Sequence, residues 1–183
     1  MNRLGMLVDV SHVSEETFFD AIETSSDPII ASHSSARAIT DHVRNLTDDQ
    51  LRAIARNGGV VNVNFFPRFI DPAHWAAFRA IDPALDELRD SLQRAGADQA
   101  SITASVSARR AQLTRAIPPT PLSVLIDHFD HIAKVAGVNH VGIGSDFDGI
   151  SSAPQDMEDV THLPRIAQAL LDRGYSEDDV KRM

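Results

Sequence analysis

Short apolar runs recur along this chain, each followed by a stretch with helical spacing, and that rhythm leaves few folds open. Leu4 to Val10, Ile29 to Ser32, Val60 to Phe65 and Val141 to Ser145 read as four buried strands. Ser14-Glu15-Glu16 opens a helix running to about Ser25, with acidic residues in its first turn. Thr47-Asp48-Asp49-Gln50 is a capping box ahead of Leu51, Ile54 and Ala55, and Gly58-Gly59 stops that helix. Thr120 to Ala136 reads as a helix feeding the fourth strand. Alternation of this kind, with short buried strands, implies a parallel sheet with helices outside it.

Four strands leave two open edges, whereas a (β/α)8 barrel typically takes about 250 residues. The sequence therefore predicts an α/β fold, the C-terminal half of a (β/α)8 TIM-type barrel. Residues 1–183 are expected to form a single partial domain, with a polar helical insert over about 71–119. Both ends read as cut. A buried strand begins almost at the first residue, and Ser176-Glu177-Asp178-Asp179 opens a helix that stops at Met183.

Composition narrows the function classes. A net charge of -9 with no Lys/Arg stripe argues against nucleic acid. The chain has no cysteine, so any metal must be held by His and carboxylates. No apolar run approaches the roughly 20 residues of a membrane helix. No targeting segment is recognisable, which makes a cytoplasmic location the default expectation.

Two of the apolar runs close on histidine: Val8-Asp9-Val10-Ser11-His12 and Ile30-Ala31-Ser32-His33. In both, a Ser precedes the His and another follows within two residues. The pattern puts two imidazoles at the carboxyl ends of neighbouring strands, where α/β proteins bind metals and substrates. Zinc–nitrogen bonds of about 2.0–2.1 Å and a strand spacing of about 4.8 Å let such side chains converge on one ion or a close pair. A lone histidine reads more readily as a strand cap bonded to a neighbouring carbonyl, and two at matching strand ends leave the two readings level.

Asp146 and Asp148 follow the fourth strand in Gly144-Ser145-Asp146-Phe147-Asp148-Gly149. Asp148-Gly149 suits a turn, while Asp146 suits a strand-end group that shuttles protons or binds metal. Arg44, on the loop after the second strand, is suited to a bidentate grip on a carboxylate, and reads also as a solvated loop residue. Asn62 and Asn64 alternate on the third strand and face the same side. His128 and His131 fall at i, i+3 spacing on a helix, which reads as ordinary surface histidines.

Together these motifs are similar to those of the membrane dipeptidase (renal dipeptidase) family of zinc peptidases. The resemblance lies in Asp9-Val10-Ser11-His12-Val13-Ser14, Ser32-His33-Ser34-Ser35-Ala36, Val60-Val61-Asn62-Val63-Asn64-Phe65, His131-Ile132-Ala133-Lys134-Val135-Ala136-Gly137 and Gly142-Ile143-Gly144-Ser145-Asp146-Phe147-Asp148-Gly149. It implies a barrel with two zinc ions and hydrolysis of a dipeptide. It implies that His12 and His33 bind the second zinc, that Asp146 is the catalytic acid/base and meets substrate, and that Arg44 holds the substrate carboxylate. The family's His-x-Asp zinc pair, its bridging glutamate and a substrate-binding histidine have no counterpart here. The expectation is a dipeptidase when the barrel is complete and an inactive chain when alone, joined by a missing N-terminal half or self-associated as a homo-oligomer. A truncated remnant that binds a partner, and another metal-dependent amidohydrolase, are the alternative readings.

Overall fold

The computed structural model describes all 183 residues. Three strands form one parallel sheet in the order β1-β2-β3: Ile30–Ser34, Val60–Val63 and Val141–Ile143. Nine α-helices accompany them. They are α1 (Glu15–Thr24), α2 (Asp48–Asn57), α3 (Pro67–Ile70), α4 (Pro72–Arg79), α5 (Asp82–Arg94), α6 (Gln99–Thr114), α7 (Leu122–Ala136), α8 (Pro164–Asp172) and α9 (Glu177–Arg182).

The predicted starts of α1 and α2 are present in detail. Ser14 caps α1 by accepting from the Thr17 backbone N–H. Thr47 and Gln50 form the reciprocal capping box of α2. Gly58 ends that helix at φ 81°, a left-handed conformation that favours glycine. The next residue, Gly59, approaches the Ile29 carbonyl so closely that an added Cβ would lie 2.3 Å from its oxygen.

The core lies between the sheet and the helices. Ala31, Val61, Val63 and Val141 meet Leu51 and Ile54 of α2 and Leu125, Ile126, Phe129 and Ile132 of α7, all buried. The 3.6-residue spacing on α2 and α7 and the alternation on β2 generate this arrangement. The residues from Ala73 to Pro119 form a compact unit of their own. Its small core joins Leu85 of α5 to Ile102 and Val106 of α6. The chain leaves and rejoins the larger unit beside a hydrogen bond from Thr120 Oγ1 to Asp71 Oδ2, 2.8 Å.

Two expectations are corrected. Leu4 to Val10 is not a strand: Asn2–Leu4 is a 3-10 turn, and only Asp9 makes an isolated parallel bridge, with Ile30. Two hydrogen bonds, Val10 N–H to Ile30 O and Ile30 N–H to Val8 O, attach this segment to β1. Leu4, Met6 and Leu7 are more than half exposed, so no packed layer holds them in register.

His128 is the second correction. It is fully buried rather than on the surface. Its Nδ1 accepts from the Ala36 N–H at 3.0 Å, and its Nε2 bonds the Ile70 carbonyl at 2.8 Å. The backbone donor assigns the tautomer, with the proton on Nε2. Neighbouring His131 is half-buried against Asp48, 2.7 Å away. Burial pushes the His128 pKa down to about 4, outweighing the opposing Ile70 carbonyl and Asp127. The folded value lies below the unfolded one, so the unfolded chain binds the extra proton. The stabilisation is complete above the ordinary histidine pKa and is lost as pH falls toward 4. Between pH 7.5 and 4.5, urea unfolding is expected to show a loss of stability about 2–3 kcal/mol larger in the parent chain than in His128→Gln.

Candidate active site

His12, in the turn after the Asp9 bridge, and His33, in β1, bring their Nε2 atoms within 2.8 Å. Their rings tilt at 59° with centroids 4.8 Å apart. Beneath them lies a polar network. The Asp9 carboxylate accepts from the Ser11 and Ser32 N–H groups, each at 3.1 Å, and from the Ser32 hydroxyl at 2.5 Å. Ser32 Oγ also lies 2.8 Å from His33 Nδ1, and the His33 N–H donates to Ser11 Oγ at 2.9 Å. Burial alone would raise the Asp9 pKa. The bonds from Ser32 and Ser11 outweigh it and hold the carboxyl below its ordinary value. A break in the register of β1 on β2, between Ala31 and Ser34, falls at this point.

Arg44 reaches back to the same turn. Its Nε and Nη2 donate to the Ser11 carbonyl at 3.2 and 2.9 Å, and its guanidinium lies over the Phe69 ring. The loop carrying it is fixed at both ends. Ala36 bridges Leu46, His128 accepts from the Ala36 N–H, and the Asn45 amide donates to the Thr40 and Phe69 carbonyls. A cleft of about 360 Å³ opens between the two loops, lined by Ser11, His12, Val13, Val43, Arg44 and Leu46 among others.

Asp146 follows β3 with a left-handed backbone, φ 59°. Asp tolerates that region better than most residues. The Gly149 N–H closes the turn on the Asp146 carbonyl at 2.9 Å. A Cβ at position 149 would come within 2.3 Å of Asp146 Oδ1, so glycine makes room for the carboxylate. Asn64 Nδ2 donates to Asp146 Oδ2 at 3.3 Å, while its Oδ1 accepts from the Phe66 N–H at 2.6 Å. Phe147 packs edge-on to Phe65, which anchors the loop to the core.

Electrostatics joins these parts. Burial, then Arg44, then His33 push the His12 pKa down, against the pull of Asp146 and Asp9. A depressed value favours the neutral imidazole, the metal-binding form. Asp146 also opposes the burial that lowers the Arg44 pKa. The structure thus brings His12, His33, Arg44 and Asp146 to one end of the sheet. Asp148 falls in the turn that follows β3.

The membrane dipeptidase family model, peptidase family M19, matches residues 1–183. The chain belongs to the membrane dipeptidase family. An uncharacterized dipeptidase of Schizosaccharomyces pombe is 39% identical over 179 residues, covering 98% of this chain and 33% of that protein. The probable dipeptidase PvdM from Pseudomonas aeruginosa superposes with a TM-score of 0.79 at 28% identity, over 100% of this chain and 48% of that one. A metallopeptidase from Rhodobacter sphaeroides, solved with a phosphinate mimic of L-Ala-D-Ala, gives 0.71 at 30% identity, over 100% and 40%. The chain therefore spans a third of the length of that curated relative and less than half of those solved chains. No helix is long and apolar enough to cross a membrane.

Metallopeptidase relatives imply a metal. On zinc, two tetrahedral nitrogens at 2.0–2.1 Å stand about 3.3 Å apart. The 2.8 Å His12–His33 pair is near that spacing, so a small opening of the rings fits two corners of a site. No group of three or more His, Cys, Asp or Glu side chains is arranged to hold a metal. The imidazoles present are enough for two corners of such a site and do not close it.

Three contributors escape sequence reasoning about the site. Asp9, Ser11 and Ser32 flank the histidines in the two motifs, and the doubled Ser-His is the one signal that could have found them.

Proposed function

We propose that this chain forms the C-terminal half of a (β/α)8 dipeptidase barrel and contributes His12 and His33 to one zinc of a two-zinc site. The observation that carries this reading is the convergence of the two imidazoles beside Arg44 and Asp146. Bound zinc supplies Lewis acidity toward the scissile carbonyl. Arg44 is already oriented by the Ser11 carbonyl. Two of its five N–H groups serve that bond, and the others are available to grip the carboxylate of a dipeptide. Asp146, held by Asn64, takes the proton of the attacking water and delivers it to the leaving amine. The free edge of β3, and the side of the Val8–Val10 segment that faces away from β1, are where further strands of a barrel would pair.

Two imidazoles leave a tetrahedral ion two ligands short. The purified chain with added Zn2+ is therefore expected to hydrolyse no dipeptide, whereas mixing it with the N-terminal segment of a longer relative restores turnover. The assay is amino-acid release from a dipeptide panel. Turnover by the chain alone at the rate of a full-length relative would overturn the proposal.

A further inference from the structure

The hydrogen bonds under His33 admit one place for its ring proton. Ser32 Oγ has a single hydrogen and three polar neighbours: Asp9 Oδ2 at 2.5 Å, His33 Nδ1 at 2.8 Å and Ser11 Oγ at 3.3 Å. Asp9 accepts two backbone N–H groups and this hydroxyl, the pattern of an ionised carboxylate. An ionised carboxylate has no proton to give, so the Ser32 hydrogen points to Asp9. The Ser32 lone pairs then face His33 Nδ1, which has to donate. The Ser11 hydroxyl lies between Ser32 Oγ and the Asp9 carboxylate, and its oxygen accepts from the His33 N–H at 2.9 Å, so it does not compete for the ring proton. Every donor and acceptor is satisfied only when the neutral His33 ring carries its proton on Nδ1. Its Nε2 is then a lone pair, aimed at His12.

We propose that Asp9, acting through the Ser32 hydroxyl, is a positioning residue that fixes His33 as the Nδ1–H tautomer and presents its Nε2 lone pair to the metal site. The tautomer stands on hydrogen bonding alone. Its use by a metal rests on the reading of His33 as a ligand. The device is a carboxylate–histidine pairing with a serine inserted, and such outer groups orient the ring and raise its basicity as a ligand.

The substitution Asp9→Asn makes a sharp test. The amide oxygen it introduces would still accept the two backbone N–H groups, but the amide nitrogen beside it would donate to Ser32. The Ser32 hydrogen would then turn to His33 Nδ1 and move the ring proton to Nε2, the nitrogen a metal needs bare. Loss of the correct tautomer through an Asp→Asn change behind a histidine is a known route to functional loss.

The measurement is long-range proton–nitrogen NMR of the ring nitrogens in the 183-residue chain, at a pH where the ring is neutral. The parent is expected to show a protonated Nδ1 and a bare Nε2 at His33. Asp9→Asn inverts the pair, Ser32→Ala moves both nitrogens toward the Nε2–H form, and Ser32→Thr, which keeps the hydroxyl, restores the parent pattern. The Ser32 variants carry the test if Asp9→Asn does not fold. A parent ring protonated on Nε2, or resonances unmoved in a folded Ser32→Ala chain, overturns the proposal. Titration with Zn2+ alone, read on the same resonances, is expected to show about tenfold or more weaker binding in Ser32→Ala than in the parent. A parent His33 that shows the Nδ1–H tautomer and ignores Zn2+ refutes its use by a metal and leaves the tautomer standing.

Discussion

Zinc binding is expected to fall by more than about 100-fold when His33 is replaced by alanine, and by a similar factor for His12→Ala. Removing an outer-shell partner of a metal-bound histidine typically costs about 10–100-fold, and here a direct ligand is lost from a site with only two. The fold should survive, because neither side chain is part of the apolar core. Equilibrium dialysis against Zn2+ reads the affinity, and the urea midpoint reads the fold. Equal binding by the parent and both variants would remove the histidines from the site.

Asp146→Asn is expected to lower kcat for dipeptide hydrolysis by about 10²–10⁴-fold in the barrel completed with an N-terminal segment, the usual range for a lost general acid–base group. The amide can still face Asn64 and fit against Gly149, so the turn is retained. KM should move little, because the substrate carboxylate is assigned to Arg44. A kcat within about threefold of the parent would place the proton-handling group elsewhere.

Much of this architecture is legible in the residues, because local rules and the final packing agree. The Thr47–Gln50 capping box, the Gly58 stop and the Leu51/Ile54 face of α2 are local devices, and each appears as read. The apolar runs at Ile30, Val60 and Val141 pair as parallel strands because α2 and α7 cover them. Leu4 to Val10 has a strand's composition without a strand's neighbours. Composition alone does not set the difference, since strand preference is largely a matter of what the side chains pack against.

The site divides along the same line. His12, His33, Arg44 and Asp146 stand out because their chemistry is unusual at strand ends and mouth loops. Asp9 and Ser32 do not: the doubled Ser-His marks only the serines, and their bonding to Asp9 depends on its parallel bridge to Ile30, a long-range contact. His128 is misread for a related reason. Helical spacing places it beside His131, but only the approach of Ala36 and Ile70 turns a helix-face histidine into a buried bridge. That bridge holds the Ala36 end of the loop that carries Arg44.

His12 and His33 are proposed to bind one metal ion together. X-ray absorption at the zinc edge, on the chain loaded with one equivalent of Zn2+, tests it most directly. Two imidazole nitrogens are expected at about 2.0–2.1 Å, with oxygen from solvent completing the shell, and one imidazole fewer in His12→Ala and in His33→Ala. A parent spectrum without imidazole scattering, or one unchanged by both substitutions, would contradict it.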